Sequence, residues 1–249
     1  MKIAGEFPYF YPLLRFYTWD KPTISIGYNQ NTRNMDFDKL ESKGVGFVRR
    51  ITGGRAVMHH KELTYSLVGK SVDKILGNSI HQSYMAVSNA FIKGLNSMGI
   101  DCSLEKSVIN KNTSVNKVQI PCFASTARYE VIAQGRKLLG SAQKRTAQTF
   151  LQHGSLLMEY PANDVADFLL LDQEQRRKHH DLERNNSISL KECGYKGNSI
   201  KKMIQSLKNG FHECFGVEFE EYRLNDRKLA QVSAIEKSKY LSDRWNKRI

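Results

Sequence analysis

The chain has 249 residues, with 38 Lys and Arg against 25 Asp and Glu, a formal net charge of +13. That length suffices for one large α/β core, and no run approaches the roughly 20 apolar residues of a membrane-spanning helix. The start, MKIAGEFPYFYPLLRFY, lacks the basic, apolar, small-residue order of a signal peptide, so a cytoplasmic protein is expected.

The charge favours an acidic partner. Its basic residues are spread along the chain, and no Lys/Arg block is interleaved with aromatics as a stacking groove requires. An acidic protein therefore fits at least as well as DNA or RNA, and the expected partners include no nucleic acid and no membrane. The four cysteines, Cys102, Cys122, Cys193 and Cys214, form no CxxC pair and no zinc-spaced cluster, so neither a disulfide scaffold nor a metal site is expected.

In chain order, PLLRFYTW and PTISIGY are predicted strands, each opening at a proline. GFVRRI is a third, running into ITGGRAVMHH, and ELTYSLVG alternates as a half-buried strand. Apolar residues every three or four positions predict a helix from Ser71 to Met98, ended by Gly99. The polar stretch 105–119 reads as a mobile loop leading to PCFAS. RYEVIAQ, RKLLGSAQKR and TFLQHGSLLM are strands, the first two joined by a turn at Gln134 and Gly135. Ile200, Ile204, Leu207, Phe211 and Phe215 mark another helix, VEFEEYRL a strand, and residues 226–245 a final helix. The charged segment 172–187 is either an exposed helix or a connector, and it is the one soft boundary in a chain otherwise expected to form a single domain over 1–249.

Three stretches carry chemistry. Gly53 and Gly54 after a strand let a ligand approach main-chain N–H groups, or simply form a tight turn. Lys137 lies on a strand otherwise apolar and small, so it either snorkels to solvent or sits in a pocket with a lowered pKa. His153 precedes a glycine inside an apolar strand, which makes it either a pocket residue or a satisfied core histidine.

Together, RRITGGRAVMHH, RKLLGSAQ and LQHGSLL resemble, in order and spacing, the lipoate-protein ligase and octanoyltransferase superfamily from about Arg15 to Met158. Within it, GGRA followed by ELTYS, GSAQ, and a cysteine in PCFAS ahead of the lysine hairpin resemble the cysteine-dependent octanoyltransferases. ATP-dependent ligases show GGGAVYHD and a GN pair instead. In the other octanoyltransferase class the cysteine stands three residues before the strand histidine, and that position here is Phe150.

The resemblance implies an α+β fold of the α/β class. It comprises a central mixed, largely antiparallel sheet flanked by helices, a biotin/lipoate ligase-like catalytic domain, and a small helical C-terminal portion. It implies transfer of octanoate from acyl carrier protein to a lysine of glycine cleavage H protein or a lipoyl domain, through a thioester on Cys122 and with no cofactor. Lys137 would stabilise the thiolate and then accept a proton from the attacking amine. Arg50, Gly53, Gly54 and His59 would line the acyl pocket with His153 nearby, and Gly140, Ser141 and Ala142 would supply an oxyanion hole. No match to the family's NMALDEAL-like helix precedes Arg15, so a second chain covering that side of the core is one expectation. The alternatives are an ATP- and Mg-dependent ligase working through an acyl-adenylate, with Cys122 a spectator, an amidotransferase between H protein and dehydrogenase subunits, and a non-catalytic acyl-lipoyl scaffold.

Overall fold

The computed structural model describes residues 11–105 and 130–248. Cys122 and the stretch 106–119 lie outside the described residues. The strands are β1 (Leu13–Tyr17), β2 (Thr23–Ile26), β3 (Gly46–Arg49), β4 (Val57–His59), β5 (Glu62–Lys70), β6 (Ser103–Glu105), β7 (Glu130–Ala133), β8 (Arg136–Arg145) and β9 (Thr149–Leu157). The helices are α1 (Phe37–Ser42), α2 (Ile80–Asn96), α3 (Gln173–Asn186), α4 (Ile200–Phe215), α5 (Asp226–Ile235) and α6 (Asp243–Asn246).

Six strands form one antiparallel sheet in the order β1-β5-β9-β8-β7-β6. A second sheet, β3-β2-β4, pairs β2 with β3 in parallel and with β4 antiparallel. The parallel pair needs a crossover, and α1 lies within it. The expected mixed, largely antiparallel architecture with flanking helices is therefore present. α2 and α4 lay Val87, Phe91, Leu95, Leu207 and Phe211 against Leu63, Leu67, Leu139 and Phe150 of the large sheet, forming the main core. A smaller core under the second sheet joins Ile24, Ile26, Leu40, Met58 and Phe168.

Three predicted elements differ. α2 begins at Ile80 and not at Ser71, because the Asp73 carboxylate accepts from the N–H groups of Ile75 and Leu76 and Gly77 turns to a positive φ of 80°. Ser79 then caps the helix by accepting from Gln82 N–H. VEFEEYRL is not a strand. Val217 and Phe219 pack against the main core, the Phe219 ring 6.1 Å from that of Phe211, and their alternation reflects that contact. The final helix breaks into α5, a π turn over Glu236–Tyr240, and α6.

Arg49 is the main side chain that reaches into α6 and the residues around it. Arg49 is fully buried, and its guanidinium donates to the carbonyls of Gly27, Tyr28, Gln30, Trp245, Asn246 and Arg248. The Trp245 indole returns a hydrogen bond of 2.8 Å to the Arg49 carbonyl. A guanidinium has five N–H donors, so one of the two on Nη1 is shared among its three carbonyls, and Arg49 links the C-terminal segment to the small sheet.

Candidate active site

The ITGG turn lies between β3 and β4. Gly54 has a φ of 94°, which L side chains rarely adopt, and a Cβ on Gly27 would meet the Gly54 carbonyl at 1.9 Å. The turn is thus pressed against the end of β2, with Gly53 and Gly54 themselves exposed. Arg50 stiffens it from inside, donating to the Gly53 carbonyl at 3.1 Å, to the Arg55 carbonyl, and to the Ser25 carbonyl at 3.0 Å.

Ser25 connects the turn to a second polar cluster. Its hydroxyl is 2.6 Å from His59 Nε2, and His59 Nδ1 is 2.7 Å from Glu62 Oε1. That one carboxylate oxygen also accepts from Thr64 at 2.6 Å and Ser155 at 2.8 Å. The His59 ring stacks on Trp19 with centroids 4.3 Å apart, and the Trp19 indole donates to Thr64. Every strand crossing this point thus contributes a hydroxyl or a ring. His59, expected to line a pocket, is buried in this network.

His153 approaches the turn from the large sheet, its Nε2 2.6 Å from the Thr52 hydroxyl. Burial, then the positive charge of Arg50 and the neighbouring His59, push its pKa down to about 3, so the ring is neutral at physiological pH. Arg50, Gly53, Gly54, His59 and His153 are therefore brought together around Thr52 and Ser25.

Residues 140–142 run beside them, with Gly140 opposite Ser155, Ser141 opposite Gly154 and Ala142 opposite His153. Only small residues fit here. A Cβ on Gly154 would meet the Gly140 carbonyl at 2.2 Å. β7 pairs with β8 only as far as Leu139, so among the described residues no strand covers the other edge of 140–142. The Ser141 hydroxyl is fixed by Tyr65 at 2.8 Å, and burial pushes the Tyr65 phenol up to about 12.

Lys137 lies at the other end of β8, five residues before Ala142. Its ammonium is 2.6 Å from Glu130 Oε1 across β7 and β8, both side chains being buried. Lys137 does not snorkel to solvent: its ammonium is buried against Glu130. Sequence reasoning missed Glu130, although an acid at an inward position of the apolar run YEVIA was its visible signal. The described cysteines are poor nucleophiles: burial pushes the Cys102 thiol up to about 12 and raises those of Cys193 and Cys214.

One further cluster of metal-ligand types, Asp164, Asp167 and His180, has its ligand atoms within 4.8 Å of one another. Both carboxylates already cap a helical turn, accepting from Ala166 and Asp164 N–H, and the imidazole bridges their remaining oxygens at 2.6 and 3.2 Å.

A six-stranded sheet backed by a helix pair thus carries a buried lysine on one strand and a glycine turn pressed against a histidine strand. Residues 10–212 match the lipoyl protein ligase A/B catalytic domain, and the chain belongs to that family. Octanoyltransferase LipM of Kyrpidia tusciae is 36% identical over 251 residues, covering 98% of this chain and 89% of that protein. Its counterpart in Bacillus subtilis is 31% identical over 239 residues, covering 94% and 86%. Among solved structures, a bi-partite lipoate protein ligase from Thermoplasma acidophilum, studied with its E2 lipoyl domain, shares the fold. Its TM-score is 0.77 at 23% identity, over 98% of this chain and 88% of that one. Lipoate-protein ligase A bound with ATP gives 0.75 at 22% identity, over 98% and 90%. The chain is an enzyme, an octanoyltransferase of protein lipoylation. No helix among the described residues is long and apolar enough to cross a membrane.

Proposed function

We propose that the enzyme moves octanoate from acyl carrier protein to the acceptor lysine of a lipoyl domain or of glycine cleavage H protein, through a thioester on Cys122 and without ATP. The observation that carries this reading is the buried pair of Lys137 and Glu130. A lysine held out of water at 2.6 Å from a carboxylate is placed for proton transfer. It suits phosphate binding less well, because Glu130 already balances the charge that an adenylate would need. With Cys102, Cys193 and Cys214 all held as thiols, Cys122 is the remaining candidate nucleophile.

The cycle balances with these two groups. Cys122 thiolate attacks the octanoyl carbonyl, the carrier's carbon–sulfur bond breaks, and the Lys137 ammonium gives its proton to the departing carrier thiolate. Lys137 is then a neutral amine. In the second half the acceptor lysine amine attacks the Cys122 thioester, forming the amide. Its proton passes to Lys137, and the Cys122 thiolate leaves, restoring the starting state. No external energy is required, because the thioester on the enzyme is as activated as the one on the carrier. Glu130 holds the lysine in place through their 2.6 Å contact. Successive N–H groups of a strand face opposite edges, so at least one of those of residues 140–142 faces the edge that β7 leaves uncovered and suits the tetrahedral oxyanion. Arg50, Gly53, Gly54, His59 and His153 shape the acyl side of the site.

A transfer assay separates the readings. Octanoyl-carrier protein and an apo lipoyl domain should give octanoylated domain with no nucleotide present. Product appearing only from free octanoate with ATP and Mg would assign a ligase instead.

A further inference from the structure

Beside the ITGG turn three cations meet over two aromatic rings. Lys144 Nζ lies 4.8 Å from the Tyr28 ring centre, and the Arg248 guanidinium lies 4.1 Å from the same ring and 4.7 Å from that of Trp245. Lys239 Nζ lies 3.9 Å from the Trp245 ring. All three are partly buried, and no carboxylate among the described residues forms an ion pair with any of them. Like charges gathered with no counter-charge among the described residues repel, and an anion docking against them relieves that repulsion. Burial, and then the charges of Lys144 and Arg248, lower the Lys239 pKa, as expected of such crowding.

The cluster borders the site. Tyr28 N–H donates to the Thr52 carbonyl, and the Thr52 hydroxyl touches His153. Lys144 stands two residues beyond Ala142, the strand partner of His153. A lysine side chain is short, so a protein presenting its lysine to this site must press its own surface against this rim.

We propose that Lys144, Lys239 and Arg248 form the docking surface for an acidic face of the protein that carries the acceptor lysine. This rests on the acceptor proposed above. Guanidinium pairs carboxylates bidentately while the ammonium groups act as point charges, so clustered Asp and Glu are the matching chemistry. A single-stranded nucleic acid fits less well, because base stacking needs open aromatic faces and cations already cover faces of both rings.

The test is a binding titration, which does not depend on turnover. An apo lipoyl domain of net negative charge, fluorescently labelled, is titrated with the wild-type enzyme, with Lys144→Glu/Lys239→Glu, and with Lys201→Glu on α4 as a remote charge control. Kd is measured by anisotropy at 50 and 200 mM salt. The proposal expects the double variant to bind about tenfold or more weakly, with a shallower salt dependence, and the control to bind like wild type. Equal Kd for all three proteins, equal weakening by the remote control, or a loss seen only with a single-stranded oligonucleotide would overturn it. If binding behaves as expected but no octanoyl transfer occurs, the docking surface stands and the reading of the reaction fails.

Discussion

Among the described residues, two buried pairs join a nitrogen base to a carboxylate, His59 with Glu62 at 2.7 Å and Lys137 with Glu130 at 2.6 Å. Their surroundings differ more than their distances. Glu62 accepts from His59, Thr64 and Ser155 through one oxygen, His59 is stacked on Trp19, and Ser25 takes the far ring nitrogen. A proton moved within that pair would disturb hydrogen bonds on several strands. Lys137 and Glu130 instead lie on β8 and β7, immediately after the segment of sequence that bears Cys122. Near-identical donor–acceptor geometry thus serves rigidity in one place and, in our reading, proton transfer in the other. What distinguishes them is that the first pair is tied into a network of Ser25, Thr64, Ser155 and Trp19 spanning both sheets, whereas the second stands close in sequence to the proposed nucleophile.

The largest expected effect breaks the second pair. Lys137→Ala should slow both enzyme acylation and transfer to the acceptor by about 10²–10⁴-fold while the fold persists, measured as single-turnover rates for each half-reaction. Slowing of one half only would show that Lys137 does not carry the proton in both directions. Breaking the first pair should act on stability instead. Glu62→Ala strands His59, Thr64 and Ser155 without their acceptor and should lower unfolding free energy by about 3–5 kcal/mol, read from denaturant midpoints. A loss below about 1 kcal/mol would mean that the network is not structural.

His153 sharpens the comparison through pH. Its folded pKa of about 3 lies below the ordinary 6.5, so between these values the unfolded chain binds a proton that the folded chain refuses. Stability therefore falls as pH drops through that window, by up to ~1.4 kcal/mol per pH unit from this group. His153→Asn should flatten the acid limb of stability against pH, and an unchanged limb would contradict the assignment.

The smallest effect lies away from the site. Burial and then the neighbouring Asp164 push Glu183 up to about 8 from the ordinary 4.5, so the folded chain keeps a proton there that the unfolded chain releases. Stability falls as pH rises between those values. Glu183→Gln should raise the thermal midpoint by a few degrees at pH 8 and leave it unchanged at pH 4.

Much of this was legible in the sequence. The alternation of ELTYSLVG and the run TFLQHGSLL are two adjacent inner strands of the large sheet, because period-two patterning there coincides with one buried face. The glycine turn and the inward Lys137 were visible for the same reason, as residues out of keeping with their neighbours. The partners of His59 were not legible, because Ser25, Glu62 and Ser155 lie 34, 3 and 96 residues away in the sequence. VEFEEYRL was misread because alternation records only that one side is covered, and a helix covers it as well as a sheet edge does. The fastening of the C-terminus by Arg49 had no sequence signal, since its acceptors are main-chain carbonyls that every residue possesses.

The Cys122 thiol is the group on which the proposed transfer turns. Intact-mass spectrometry of the enzyme mixed with octanoyl-carrier protein, without ATP, beside Cys122→Ser, should show one octanoyl adduct on the wild type and none on the variant. An adduct of equal yield on Cys122→Ser, or no adduct on a wild-type enzyme that turns over only with free octanoate and ATP, would contradict it.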